Sequence, residues 1–205
     1  MTRVGKIWAE EPFRCKVTIA ATEQPVSYAD AKAHCRIDDD TEKTWVENAI
    51  KSVTELAASF LGGKQIVSAT RALYLGAFPC GRMDIPIPYP PLQSVSSIQY
   101  IDIDGATQTW SSAEYQVDTV SEPGRVVLHP DYSWPSTKGG ILSAVTITFV
   151  AGYGAATSVP QCIKDAILTG VSYKYEHRGD DEVRTSETVG ALVMEALAPE
   201  RMLVG

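Results

Sequence analysis

The residues of this chain that could ligate a metal or run acid–base chemistry are few. They are the run Asp38-Asp39-Asp40, the pair Asp102 and Asp104, the histidines His34, His129 and His177, and the cysteines Cys15, Cys35, Cys80 and Cys162. A calcium loop needs alternating carboxylates around a central glycine, and Asp38-Asp39-Asp40 lacks that pattern. Its charges read instead as a solvated elbow at the start of a helix, where the backbone dipole favours negative side chains. Asp104-Gly105 is a two-residue hairpin turn signal, which accounts for the second acidic group. The histidines show no H-x-x-x-H spacing. His34 and Cys35 are adjacent on a helical segment, so their side chains diverge by about 100°. No C-x-x-C pair occurs, and the chain is not a short cysteine-dense one. Reduced, mostly buried thiols are expected, with neither a zinc site nor a disulfide framework. The glycine signatures of a nucleophile elbow, a P-loop and a dinucleotide fold are missing. Gly152-Tyr153-Gly154 has no accompanying lysine and reads as a strand-to-helix crossover. No catalytic, cofactor or metal site is expected, and the chain is read as a non-enzyme.

The elements around these residues begin with Val26 to Gly63. Ser27 is set to cap a short helix with Asp30 reaching back, and Val26 and Ala31 are spaced as a hydrophobic staple. Beyond the acidic elbow, Val46, Ala49, Ile50, Val53, Leu56, Ala57 and Phe60 recur on one helical face, and Gly62-Gly63 stops the helix. The texture then turns to strand. Short runs are expected at 15–20, 70–76, 82–88, 95–103, 106–110, 114–118, 125–129 and 141–150, with Glu122-Pro123-Gly124 as a turn. The proline-rich stretch Ile85 to Pro91 is an extended connector. Helix returns after Pro160 and runs to about Arg178, supplying a partner for the Val46–Phe60 face. The polar stretch Gly179 to Thr188 reads as a flexible linker. Behind it, Ala191 to Leu203 is apolar again and has no evident core of its own.

The fold class expected is therefore α+β: a helical bundle of two N-terminal helices plus a C-terminal helix, with an inserted small antiparallel β-sandwich or barrel, and an extended or helical C-terminal tail. The expected organisation is an arm over 1–25, a helical core over 26–63 and 158–179, a β-rich insertion over 64–157, and a linker with a partner-binding tail over 180–205. Ile7 and Trp8 in the arm are apolar residues on a polar segment, suited to docking either on the chain's own domain or on a neighbour.

The 205 residues carry a net charge of −7. That balance argues against gripping nucleic acid through its phosphates. The aromatics Trp45, Trp110, Tyr115, Tyr132 and Trp134 are not interleaved with basic residues, so no base-stacking platform is indicated. No apolar run approaches the ~20 residues of a membrane span, and residues 1–20 carry charges throughout, unlike an export signal.

Four stretches, in their order and spacing, resemble one family. They are AKAHCRIDDD (Ala31–Asp40) with the helix that follows, PPLQSVSSIQYIDIDG (Pro90–Gly105), VTITFVAGYG continuing through VPQCIKDAILTGVSYKYEHRGD (Val145–Asp180), and EALAPERMLVG (Glu195–Gly205). Together they resemble the head–tail connector proteins (adaptor, or head-completion) of long-tailed bacteriophages and their relatives in gene transfer particles. The terminal stretch departs from the family's pattern, with Ala196 and Glu200 where leucine and tyrosine are usual. The resemblance implies a structural protein of the virion neck. It would form a homo-oligomeric, dodecameric ring under the portal protein and offer a surface to a downstream component such as a stopper or tail terminator. DNA would pass through the lumen without sequence-specific binding. It further implies that the tail binds the portal, through Leu192, Val193, Met194, Leu197, Pro199, Arg201, Met202 and Leu203. The rival expectation is a monomeric β-sandwich that binds a ligand or carbohydrate on Trp110 and Trp134.

Overall fold

The computed structural model describes residues 14–81, 83–178 and 182–201, with side chains in the last helix described from Glu187 to Ala198. The elements run β1 (Cys15–Ile19), α1 (Tyr28–Cys35), α2 (Lys43–Phe60), β2 (Ala69–Leu75), β3 (Ile85–Pro86), β4 (Leu92–Ile101), β5 (Thr107–Thr109), β6 (Tyr115–Asp118), β7 (Arg125–Leu128), β8 (Val145–Ala151), a 3₁₀ turn (Ala156–Ser158), α3 (Gln161–Glu176) and α4 (Glu182–Arg201). The class is α+β, with four helices and antiparallel strand pairs. One sheet has the order β1-β2-β8-β4-β5 and the other β3-β7-β6, so the expected barrel does not close. The chain divides into two compact units.

The β unit takes β1 together with Thr70–Pro88 and Ser94–Val150. In β8 the alternation expected of a half-buried strand is complete: Val145, Ile147, Phe149 and Ala151 are buried and the residues between them are not. The strand starts at Val145 rather than Ile141, because Leu142 and Ser143 turn. The β4–β5 hairpin pairs Gln99 with Thr109 and Ile101 with Thr107. Its turn is fixed by Asp102, whose carboxylate accepts from the Asp104 and Ala106 amides at 3.1 and 2.9 Å and from Gln108 at 2.8 Å. The β6–β7 hairpin is pinned in the same way by Asp118. Its carboxylate accepts from the Val120 and Ser121 amides at 3.0 Å each, from the Ser121 hydroxyl at 2.6 Å and from Arg125 Nε at 3.0 Å.

The helical unit takes Ala20–Ala69, Tyr89–Gln93 and the chain from Ala151 onward. Ser27 and Asp30 form the reciprocal capping box that their spacing implies, and Val26 and Ala31 are both buried. Helix α2 ends in a Schellman motif. The Gly63 amide donates to the Ala58 carbonyl at 2.9 Å and that of Gly62 to Ser59 at 3.2 Å, while both glycines take positive φ, 75° and 80°. The buried stripe of α2 (Val46, Ala49, Ile50, Val53, Ala57) joins Ile163, Ala166, Ile167 and Val171 of α3 in one core. Pro160 occupies the cap position of α3.

The largest difference from expectation concerns α4. The segment read as a linker is helix from Glu182 on. Val189, Val193 and Leu197 recur every four residues and are 1%, 0% and 1% exposed. They complete the same core. Gly170 makes the seat: a Cβ built there would lie 2.7 Å from Val53 Cγ1, 3.0 Å from Val193 Cγ2 and 3.3 Å from Val189 Cγ1. Only a residue without a side chain lets α2, α3 and α4 approach this closely.

Candidate functional site

The acidic groups turn out to be structural. Asp39 accepts from the Thr41 amide at 2.8 Å and from its hydroxyl, closing the elbow. Asp40 accepts from Lys32 at 2.7 Å and from the Tyr28 hydroxyl at 2.8 Å, tying the elbow to α1. Hydrogen bonds from Thr41 hold Asp39 below the usual carboxylate range, and those from Lys32 and Tyr28 do the same for Asp40. Desolvation and the bond to Asp40 push the Tyr28 phenol up to about 12. None of the run caps α2; the residue at the cap is Glu42, whose side chain makes no capping bond. Among the described residues no group of three or more His, Cys, Asp or Glu side chains could hold a metal ion. None of the four cysteines is in a disulfide, but the expectation that most are buried is corrected: Cys15, Cys35 and Cys162 are half-buried and Cys80 is exposed. Cys15 lies on the edge strand β1 and Cys35 at the end of α1. Desolvation still raises both thiols, which favours the protonated, unreactive form.

The two tryptophans expected as a ligand platform sit in an aromatic cluster of the β unit. Trp110 is 4% exposed, and its indole N–H donates to Glu114 at 2.7 Å. Trp134 is half-buried. It stacks on Phe78 with centroids 5.4 Å apart and an 18° interplanar angle, and its ring centroid lies 5.1 Å from that of Trp110. Trp110 also lies 4.9 Å from Tyr115. Trp110 is thus a core residue with its polar atom satisfied, whereas Trp134 lines a shallow cavity together with Tyr132 and Pro135.

The tail residues divide by helical phase. Val193 and Leu197, two of the residues expected at the portal, are buried in the subunit's own core, since every fourth position of α4 faces α2 and α3. Leu192 is half-buried, and Met194 is 45% exposed on the outer side. Pro199 and Arg201 belong to the last turns of α4, where only the backbone is described. Met202 and Leu203 lie outside the described residues.

A polar clamp joins the end of α3 to the start of α2. Arg178 donates to Glu42, and the Tyr175 hydroxyl donates to the same carboxylate at 2.8 Å. The guanidinium lies 4.0 Å from the Tyr175 ring centroid and 5.5 Å from that of Trp45. The bonds from Tyr175 and Arg178 hold Glu42 low, and the bond to Glu42 pushes Arg178 up. Sequence reading did not single out this cluster, because its members are far apart in the chain. It also did not anticipate the apolar tips of the β unit: Ile103, Val120 and Leu142 are 66%, 92% and 76% exposed. Ile103 and Leu142, expected in strands, both sit on turns. Ile103 directly precedes Asp104-Gly105, which is the available signal.

The chain thus has antiparallel sheets with carboxylate-pinned hairpins and exposed apolar tips in one unit, and a four-helix core in the other. No family model matches the sequence, and no curated protein matches it at a significant level. Solved structures do share the fold. A chain from the neck of an empty gene transfer agent (GTA) particle, computed with C6 symmetry, aligns with a TM-score of 0.70 at 17% identity, over 88% of this chain and 93% of that one. A chain from the virion of the native GTA particle aligns with a TM-score of 0.70 at 18% identity, over 89% and 94%. A chain from the neck of the native particle, computed with C12 symmetry, gives 0.59 at 20% identity, over 91% and 94%. This chain has the fold of those chains along nearly its whole length.

Proposed function

We propose that this chain is a structural, non-catalytic component of the neck of a phage-like particle, an adaptor that forms a ring under the portal protein and presents a surface to the next neck or tail component. The observation that carries the reading is the likeness to chains of GTA necks and virion, which spans both units and nearly all of each chain. The C6 and C12 symmetries of the neck structures support a cyclic, dodecameric assembly. In this reading the helical unit is the ring body, and the β unit, an inserted two-sheet sandwich, turns its apolar tips toward a neighbour. A net charge of −7 suits a channel that DNA passes without sticking, because like charges repel its phosphates.

The portal contact falls to the distal end of the chain: Pro199, Arg201, Met202 and Leu203, with Met194 and Leu192 on the outer side of α4. Val193 and Leu197 support this end from within. Truncation after Leu197 tests the assignment, because it keeps every described core residue of α4. Full chain and truncated chain should give the same circular dichroism, and only the full chain should co-purify with portal. Equal binding by the truncated chain refutes the tail assignment, and failure of the full chain to bind any portal refutes the adaptor role.

A further inference from the structure

The helical unit carries a cleft of about 760 Å³ between the segment before α1, the first half of α2, and the stretch from the 3₁₀ turn into α3. Its apolar lining includes Pro25, Val26, Ile50 and Leu168. The charged groups around it are of both signs and not equally committed. Glu23 accepts from the Ala156 amide at 2.7 Å, and Asp30 is engaged by Ser27. Glu47 has Lys43 at 3.9 Å and lies near the Tyr28 phenol. Lys51 and Lys164 make no ion pair within 4.0 Å among the described residues, although Lys164 is near enough to Asp30 to help hold that carboxyl low. The cleft therefore offers an apolar floor, one weakly held carboxylate and two ammonium groups outside any close ion pair, Lys164 lying toward Asp30.

The arm carries the complementary order: Lys6, then Ile7-Trp8, then Glu10-Glu11. We infer that the arm of one copy docks in this cleft on a second copy, with Ile7 and Trp8 on the apolar floor, Lys6 toward Glu47 and Glu10-Glu11 toward Lys51 and Lys164. The inference rests on the ring reading above. A cyclic ring is built from heterologous contacts, in which a projecting feature on one face meets a receiving feature on another. The arm and the cleft are such a pair. Trp8 stands close enough to Arg14 for the intervening chain to span about 20 Å when extended, which suits reaching across a subunit boundary. The tryptophan supplies contact area at low entropic cost, and the charges fix its direction.

The test uses the full chain with the photocrosslinker p-benzoylphenylalanine in place of Trp8, prepared in ¹⁴N and ¹⁵N forms, mixed, irradiated and digested for mass spectrometry. The expected result is cross-linking of position 8 to peptides containing Glu47–Lys51 or Gln161–Leu168, in mixed-isotope pairs. Leu168→Glu, at a half-buried rim position, should lower the yield several-fold. The crosslinker in place of Ile7 serves as a second variant and should mark the same peptides. Only same-isotope pairs would overturn docking on a second copy. Cross-links confined to other peptides, or no cross-links at either position, would overturn the cleft. Portal co-purification of the same proteins separates the two readings. Lost cross-links with portal binding intact overturn this inference alone, and lost portal binding with the mixed cross-links intact overturns the adaptor role alone.

Discussion

Gly170→Ala is the sharpest probe of the helical core, because two effects of known sign oppose each other there. In a helix interior the change from glycine to alanine favours folding by about 1 kcal/mol. At this position the new methyl would lie 2.7 Å from Val53 Cγ1 and 3.0 Å from Val193 Cγ2. Both neighbours are valines on helices, with χ1 largely fixed by the preceding turn, so neither can swing away cheaply. Overpacking of this kind costs typically about 1–3 kcal/mol, and two crowded contacts place this case in the upper half. The net expectation is a loss of about 1 kcal/mol or slightly more. Urea unfolding followed at 222 nm and by fluorescence gives the value, with an unchanged m. The reasoning makes a second demand. Val53→Ala removes the nearest obstacle, so the double variant should be more stable than the sum of the singles by about 1 kcal/mol or more. A stabilised Gly170→Ala, or strict additivity with Val53→Ala, would refute the close three-helix seat at Gly170.

Other expectations follow from local geometry. Arg36 ends α1 with φ 54°, a left-handed conformation that costs a side-chain-bearing residue about 1–2 kcal/mol, so Arg36→Gly should raise stability by about 0.5–1 kcal/mol in thermal or urea unfolding. Asp118 is held well below the usual carboxylate range, first by the Ser121 hydroxyl and amide and then by Arg125. A carboxyl depressed in the folded state contributes stability in full above its unfolded value, near pH 4, and loses it as pH falls toward the folded value. Asp118→Asn should therefore flatten the acid limb of the stability–pH curve below about pH 4, and an unchanged limb would show that the turn does not depend on the charge.

Features set by near neighbours were legible in the sequence. Ser27 with Asp30, Gly62-Gly63, the stripe of α2 and the alternation of β8 are each written within a few turns of chain, and each took its expected form. What sequence reading missed depended on distant partners. The stretch from Gly179 to Thr188 is polar and reads as a tether, yet Val189, Val193 and Leu197 have a helical period. Their destination is the notch at Gly170, which no local pattern reveals. Trp110 looks like an available face until Glu114 is seen to take its N–H and Phe78, Tyr115 and Trp134 to surround it. The Glu42–Tyr175–Arg178 clamp joins residues more than a hundred positions apart, so it had no signature to read.

Because α4 is wedged into the core by residues on three successive turns, the helix acts as a rigid lever against α2 and α3. Anything that seizes the chain beyond Leu197 also clamps Val189 and Val193 in place. Through linkage, its binding energy then opposes the opening of α2 and α3. Engagement at one extremity should thus register deep inside, as slower amide exchange at Val53 and Ile167.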